Sequence, residues 1–346
     1  MGQSWSQLVA SGPKFSDSSN PHVLFRVGAK GGETGSVEIQ DLLFTNRGPT
    51  AGFVAVEWNI ESDAQGSAAM WDCHVRIGGA KGTDLSVADC PALKSGTNSK
   101  CSAGSLMFHM TKTASAYIEN MWLWVADHDL DDDNMTQVSV YVARGMLIES
   151  TKPVWLYGTA SEHSTFYQYG FHKAKNVLAA MIQTESAYYQ PNPLPPAPFS
   201  KVVNDFPGDP NYSVCEGNTA EDGCDESWAV RIVESSNITI AGAGLYSWFS
   251  TYDQACVDTQ DCQSAMVEIQ KPLGGIHIWN LITIGAQKMV VSTGLNDEAD
   301  VSAVDYTSVD YHPFWSQISR YSPEVDNDGS QDGDIVYVAP TVWGPG

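Results

Sequence analysis

Residues 154–189 read VWLYGTASEHSTFYQYGFHKAKNVLAAMIQTESAYY, and how they fold decides how the rest of the chain is read. Inside them, Asn176-Val177-Leu178-Ala179 is one copy of a degenerate motif: Asn or Asp, apolar, any residue, apolar. Other copies begin at Asp41 (DLLF), Asp72 (DCHV), Asn120 (NMWL) and Asn237 (NITI), with a looser one at Asn280 (NLIT). Segments such as SVEIQ, FVAVEW, VSVYVA, AVRIVE, MVEIQ and KMVVST surround them. These have strand length and mostly alternate with period 2. The best helical candidate, Lys173 to Gln183, contains the motif itself and reads as strand.

Short strands with a polar corner residue in each unit predict an all-β chain. The specific expectation is a parallel β-helix. Coils of roughly 20–30 residues would stack at the ~4.8 Å strand spacing. Corner asparagines would hydrogen-bond along the stack, and the apolar residues after them would point inward. Cys73, which follows Asp72, then becomes an inert buried thiol.

Loops interrupt the winding at Gly82 to Gly104, at the acidic run Asp127 to Asn134, and at the proline-rich insertion Pro191 to Trp228. Residues 1–310 are expected to form the β-helix, and 311–346 a C-terminal extension over the last coil. An open coil is a sheet edge that needs cover. MGQSWSQLVASG is too short and too irregular to supply it, so N-terminal coils are expected to be missing from this sequence.

The formal charge of −23 repels nucleic acid and anionic membranes and sets both aside as partners. A neutral substrate is compatible with it. Aromatics come in close pairs (Trp122 and Trp124, Tyr167 and Tyr169, Tyr188 and Tyr189) that suit sugar platforms, although most aromatics are core. Seven cysteines give three short-loop pairs: Cys90 with Cys101, Cys215 with Cys224, and Cys256 with Cys262. With sequons at Asn134, Asn211 and Asn237, they point to an extracellular protein whose secretion signal lies outside this sequence. No CxxC pair suggests zinc.

Glu162 and Glu185 stand 23 residues apart, about one coil, so both can face one groove. Paired carboxyls are what glycoside hydrolysis needs: one protonates the departing oxygen, the other holds charge or directs water. Glu185, bordered by Met181, Ile182 and tyrosines, reads as the acid, because partial desolvation raises a carboxyl's pKa. Glu162, among Ser161, His163 and Ser164, reads as the ionised partner. Two exposed surface glutamates are the bland alternative. The Asp127–Asp133 run lacks the EF-hand pattern and reads first as a solvated loop. His109, His163 and His172 are isolated, and none is assigned a metal. The sequence has no phosphate loop, GxSxG elbow or HExxH.

The stretches RGPTAGFVAVEWNI, MWDCHVRIGGAKGTDL, MWLWVADHDLDD, ARGMLIESTKPVWLYGTASEHSTFYQY and MIQTESAYYQPNP resemble the C-terminal half of fungal β-1,3-glucanases of glycoside hydrolase family 55. The resemblance implies two tandem right-handed parallel β-helices, single-stranded and pectate-lyase-like, with the active site between them. It also implies inverting, mostly exo-acting hydrolysis of laminarin-like β-1,3-glucan. The family's proton donor matches Glu185, and a second glutamate that helps hold the catalytic water matches Glu162. The first β-helix and the early coils of the second are absent here, so impaired activity is expected. Trp122, Trp124, Asp127, His128, Tyr167, Tyr188 and Tyr189 are the expected sugar wall. No metal or organic cofactor is required. A non-catalytic glucan-binding module is the alternative. A pectin-degrading enzyme suits the acidic charge badly, since its substrate is anionic.

Overall fold

The computed structural model describes residues 6–212, 227–293, 302–306, 310–312 and 315–323. Strands stack in parallel as successive coils of a β-helix. The first coil consists of Ser6–Ser11, His22–Val27 and Val37–Gln40, and the second repeats it with Leu42–Arg47, Phe53–Trp58 and Ala68–Trp71. The first and third walls join into one large sheet, and the second wall is a separate sheet of nine strands. Later strands run through the corner. Lys175–Glu185, Ser236–Tyr246 and Ile276–Ile284 each end one coil and begin the next.

The corner is where the polar motif acts. Asp41, Asp72, Asn120, Gly158, Met181, Gly242 and Asn280 stack one above another. All seven have φ between 50° and 83°. This left-handed region suits Gly and, among other residues, Asn and Asp. Asn120 Nδ2 donates to Asp72 Oδ1 at 2.5 Å, as the expected ladder requires.

Asn176 and Asn237 form a second, separate column, bridged by Asn237 Nδ2 donating to Asn176 Oδ1 at 2.6 Å. The single motif of the sequence therefore marks two different corners. The Asn237 amide nitrogen that a glycan would need is a donor in this bond.

The corner also resets the alternation. In Lys175–Glu185 the inward residues are Val177 and Ala179 before the corner, then Ile182 and Thr184 after it, while Met181 is 71% exposed. Columns such as Val154, Val177, Ile238 and Ile276 fill the lumen. Each buried aliphatic side chain contributes about 1.5–3 kcal/mol. Coils are mostly longer than 20–30 residues, because the loops lengthen them. Stacked neighbours stand 31, 48 and 61 residues apart at Gln40–Trp71, Asp72–Asn120 and Asn176–Asn237.

Tyr141–Ile148 is buried on both faces. One face lines the lumen. The other lies under the proline-rich insertion, held by a fully buried Arg144–Asp209 pair and by Arg144 Nη2 donating to Val202 O at 2.7 Å. Phe166 and Phe206 sandwich the Arg144 guanidinium at 4.8 and 4.9 Å.

Disulfides join Cys90 to Cys101 and Cys256 to Cys262, and Cys73 is a buried free thiol. Cys215 and Cys224 lie outside the described residues. Among the described residues, Ala286–Thr293 is the last strand with a parallel neighbour. Ser302–Asp305 runs antiparallel along it, and Trp315–Tyr321 runs antiparallel along Ile276–Ile284. Antiparallel cover thus begins before residue 310, and 324–346 lie outside the described residues.

Candidate active site

One outward column of the first wall brings the candidate residues together. Arg76, Trp124, Glu162, Glu185 and Tyr246 are successive register partners. Glu162 and Glu185 are direct neighbours on adjacent coils, as their spacing predicts. They face outward because Ser161 and Thr184, one residue earlier, face the lumen.

Glu162 is nearly covered. Trp122 Nε1 donates to its Oε2 at 2.9 Å. Trp122 is 39% exposed and lies 5.4 Å from Trp124 at 39°, giving an open indole backed by a buried one. Trp124 Nε1 donates to Asp127 Oδ1 at 3.2 Å, and the other oxygen of Asp127 meets His128 Nδ1 at 2.9 Å. Tyr188 donates its hydroxyl to Glu185 Oε2 at 2.7 Å, and its ring lies 4.0 Å from Phe249. Gln183 Nε2 reaches Glu185 Oε1 at 3.4 Å.

His163 is not isolated. It is buried between the two glutamates and Asp127, with Nε2 3.5 Å from Glu185 Oε2 and Nδ1 3.8 Å from Asp127 Oδ1. Burial disfavours its charge, but the hydrogen bond to Glu185 and three surrounding carboxylates outweigh that, holding it at about 9. The same imidazole reverses the proton preference expected for the pair. Burial raises Glu162 above the usual carboxylate range, with His163 only partly opposing. Burial also acts to raise Glu185, but the His163 hydrogen bond and charge, with the Tyr188 hydroxyl, hold it below that range. The apolar sequence neighbours of Glu185 do not shield its carboxyl, since Met181 points to solvent and Ile182 into the lumen.

Trp122, Trp124, Asp127, His128 and Tyr188 thus gather around the glutamates, whereas Tyr167 and Tyr189 do not. Tyr167 stands on the other sheet, paired with Arg144 and Trp228, and is fully buried. Tyr189 is buried edge-on to Tyr141 at 4.9 Å, its hydroxyl sharing a hydrogen bond with Thr165 at 2.9 Å. The acidic loop spends its carboxylates on backbone amides, its own and those of Lys81 and Val87. Asp129 accepts from the amides of Val87 and Asp131, and Asp132 from those of Asn134 and Thr136.

Sequence reasoning missed Tyr246, Trp248 and Phe249. Tyr246 follows Asn237 by the same interval at which Glu185 follows Asn176, and that interval was a usable signal. Trp248 stacks 5.3 Å from Tyr246.

The chain is thus a parallel β-helix bearing two stacked carboxyls beside an open indole, and two of its relatives are named as glucan 1,3-beta-glucosidases. Over 299 residues the chain is 42% identical to a probable glucan endo-1,3-beta-glucosidase of Arthroderma benhamiae, covering 85% of this chain and 33% of that protein. It is 36% identical over 301 residues to a glucan 1,3-beta-glucosidase of Cochliobolus carbonum, covering 85% and 36%. It is also 43% identical over 303 residues to a protein named non-secreted LysM effector LysM15 of Penicillium expansum, covering 88% and 20%. No family model matches. A solved structure, sacteLam55A from Streptomyces sp. SirexAA-E, aligns with a TM-score of 0.45 at 18% identity, covering 85% of this chain and 43% of that one. Over most of its length the chain is a homologue of fungal proteins named glucan 1,3-beta-glucosidase, and it spans about a third or less of the length of these three relatives.

Proposed function

We propose that this chain carries the proton-donating side of a β-1,3-glucan hydrolase, acting on laminarin-type chains, in exo fashion and with inversion. The observation that carries the reading is the register of Glu162 on Glu185 beside Trp122 and Tyr188. In this reading Glu185 protonates the leaving oxygen, and Glu162 helps to hold the water. Trp122, Trp124, Asp127, His128 and Tyr188 bind the sugar. The two disulfides support an extracellular setting.

Strand neighbours stand about 4.8 Å apart, closer than the roughly 6.5–9.5 Å between the acid and base of an inverting pair. Glu162 alone is therefore poorly placed to activate water on the far face of the sugar. A second wall, from the β-helix that precedes this one in the resembling family, would complete the water site.

A second reading exchanges the roles, because burial favours the proton on Glu162 and His163 favours the anion of Glu185. Laminarin and an aryl β-glucoside with a good leaving group, given to wild type, Glu162→Gln and Glu185→Gln, separate the two. The variant lacking the acid keeps turnover on the activated substrate alone. Laminarin bound without turnover by all three would instead mark a glucan-binding module.

A further inference from the structure

The reading above uses the two glutamates and leaves the buried group between them without a task. His163 Nδ1 lies 2.8 Å from the carbonyl oxygen of Val125. A carbonyl only accepts, so Nδ1 must carry a proton. Nε2 points at Glu185 Oε2, 3.5 Å away. A neutral ring protonated at Nδ1 would set its Nε2 lone pair against a carboxylate, with no room for water to intervene. Glu185 Oε2 already accepts from the Tyr188 hydroxyl, so with Glu185 ionised both ring nitrogens face acceptors.

The backbone fixes this posture. His163 sits at φ 67°, in the left-handed region that a non-glycine residue rarely occupies, and its amide donates to Glu185 O at 2.9 Å. The bend turns the ring inward beside Glu162, while the Tyr188 ring stands edge-on at 4.8 Å. The charged groups facing it come from three elements. Asp127 follows the strand Trp122–Val125, Glu162 lies on its own strand, and Glu185 ends Lys175–Glu185. All three are acidic.

We propose that the fold holds His163 as a doubly protonated imidazolium, a positioning residue whose charge decides which of the two glutamates keeps the proton. Its part in catalysis rests on the function proposed above, whereas its protonation does not, so the two can fail separately.

The test follows the imidazole nitrogens by NMR in the chain labelled with ¹⁵N-histidine, from pH 5 to 10, with His163→Gln to assign the signal. One imidazole, absent in the variant, is expected to stay protonated at both nitrogens until about pH 9. In His163→Gln the Glu185 carboxyl midpoint, followed through its ¹³C signal, is expected to rise by about 1–3 pH units. His163→Lys, which restores a cation, is expected to bring the midpoint back down.

A neutral His163 at pH 7, or a Glu185 midpoint that does not move in His163→Gln, overturns the proposal. The wild-type titration decides the first point even if His163→Gln does not fold. A charged His163 in a chain that neither binds laminarin nor turns over the activated aryl β-glucoside would uphold the charge and sink the hydrolase reading.

Discussion

Glu162 and Glu185 lie side by side on adjacent coils, and one imidazole sets their proton affinities apart. This has a consequence for stability. His163 has a folded value of about 9 against an ordinary 6.5, so its stabilising contribution is complete below pH 6.5 and is lost as pH rises through 9. Glu162 is also raised, so its contribution is lost as pH rises above the carboxylate range. Glu185 is lowered, so its contribution is present above 4.5 and is lost as pH falls. Denaturant unfolding should show wild type losing on the order of 3 kcal/mol between pH 6.5 and 9. His163→Gln should be much flatter across that window. Equal slopes in the two proteins would contradict the coupling.

The corner ladder makes a prediction about Met181. It is the one member of the seven that is not Gly, Asn or Asp, it sits at φ 56°, and most of its side chain is in solvent. A β-carbon in that region costs about 1–2 kcal/mol, and little packing is lost with an exposed thioether. Met181→Gly is expected to stabilise by about 1 kcal/mol, and Met181→Asn by somewhat less. Thermal unfolding should show a gain of about 1–2 °C for a chain of this size. A lower melting temperature in both would mean that the Met181 contact over Gly242 outweighs the strain.

The two corners show how far the sequence could be read. The repeat was legible because left-handed corners and an inward apolar stripe constrain residue type directly. The 23-residue step from Glu162 to Glu185 was legible because no loop intervenes there, while the neighbouring steps are stretched by insertions. Proton loading was not legible. It depends on the φ of His163 and on strand neighbours pointing to opposite faces, so Met181 and Ile182 flank Glu185 in sequence without covering its carboxyl. Tyr167 misled for a similar reason, since its sheet assignment comes from pairing with Arg144 and not from its proximity to Glu162.

Cys73 should be chemically silent. Burial pushes its thiol up to about 11, and its side chain has no access to solvent. The thiolate is the reactive form. Iodoacetamide at pH 8 should leave the Cys73 peptide unmodified in the native chain and alkylate it fully after unfolding in guanidinium, as read by peptide mass mapping. Native labelling at the rate of a free thiol would place Cys73 outside the lumen.

Trp122 joins both parts of the proposed site, since its ring is an open platform and its N–H is a donor to Glu162. Two substitutions separate these roles. Trp122→Phe keeps a ring and removes the donor, so the ionised form of Glu162 loses one hydrogen bond, worth about 1 kcal/mol. The Glu162 carboxyl midpoint should then rise by up to about one pH unit, with little change in laminari-oligosaccharide affinity. Trp122→Ala removes the platform as well, and aromatic contacts of this kind contribute about 0.5–1.5 kcal/mol beyond burial. Affinity should therefore fall by about 3- to 10-fold in calorimetric titration. If Trp122→Ala binds the sugar as wild type does, the ring does not form part of the glucan wall, and its place beside Glu162 serves only the hydrogen bond.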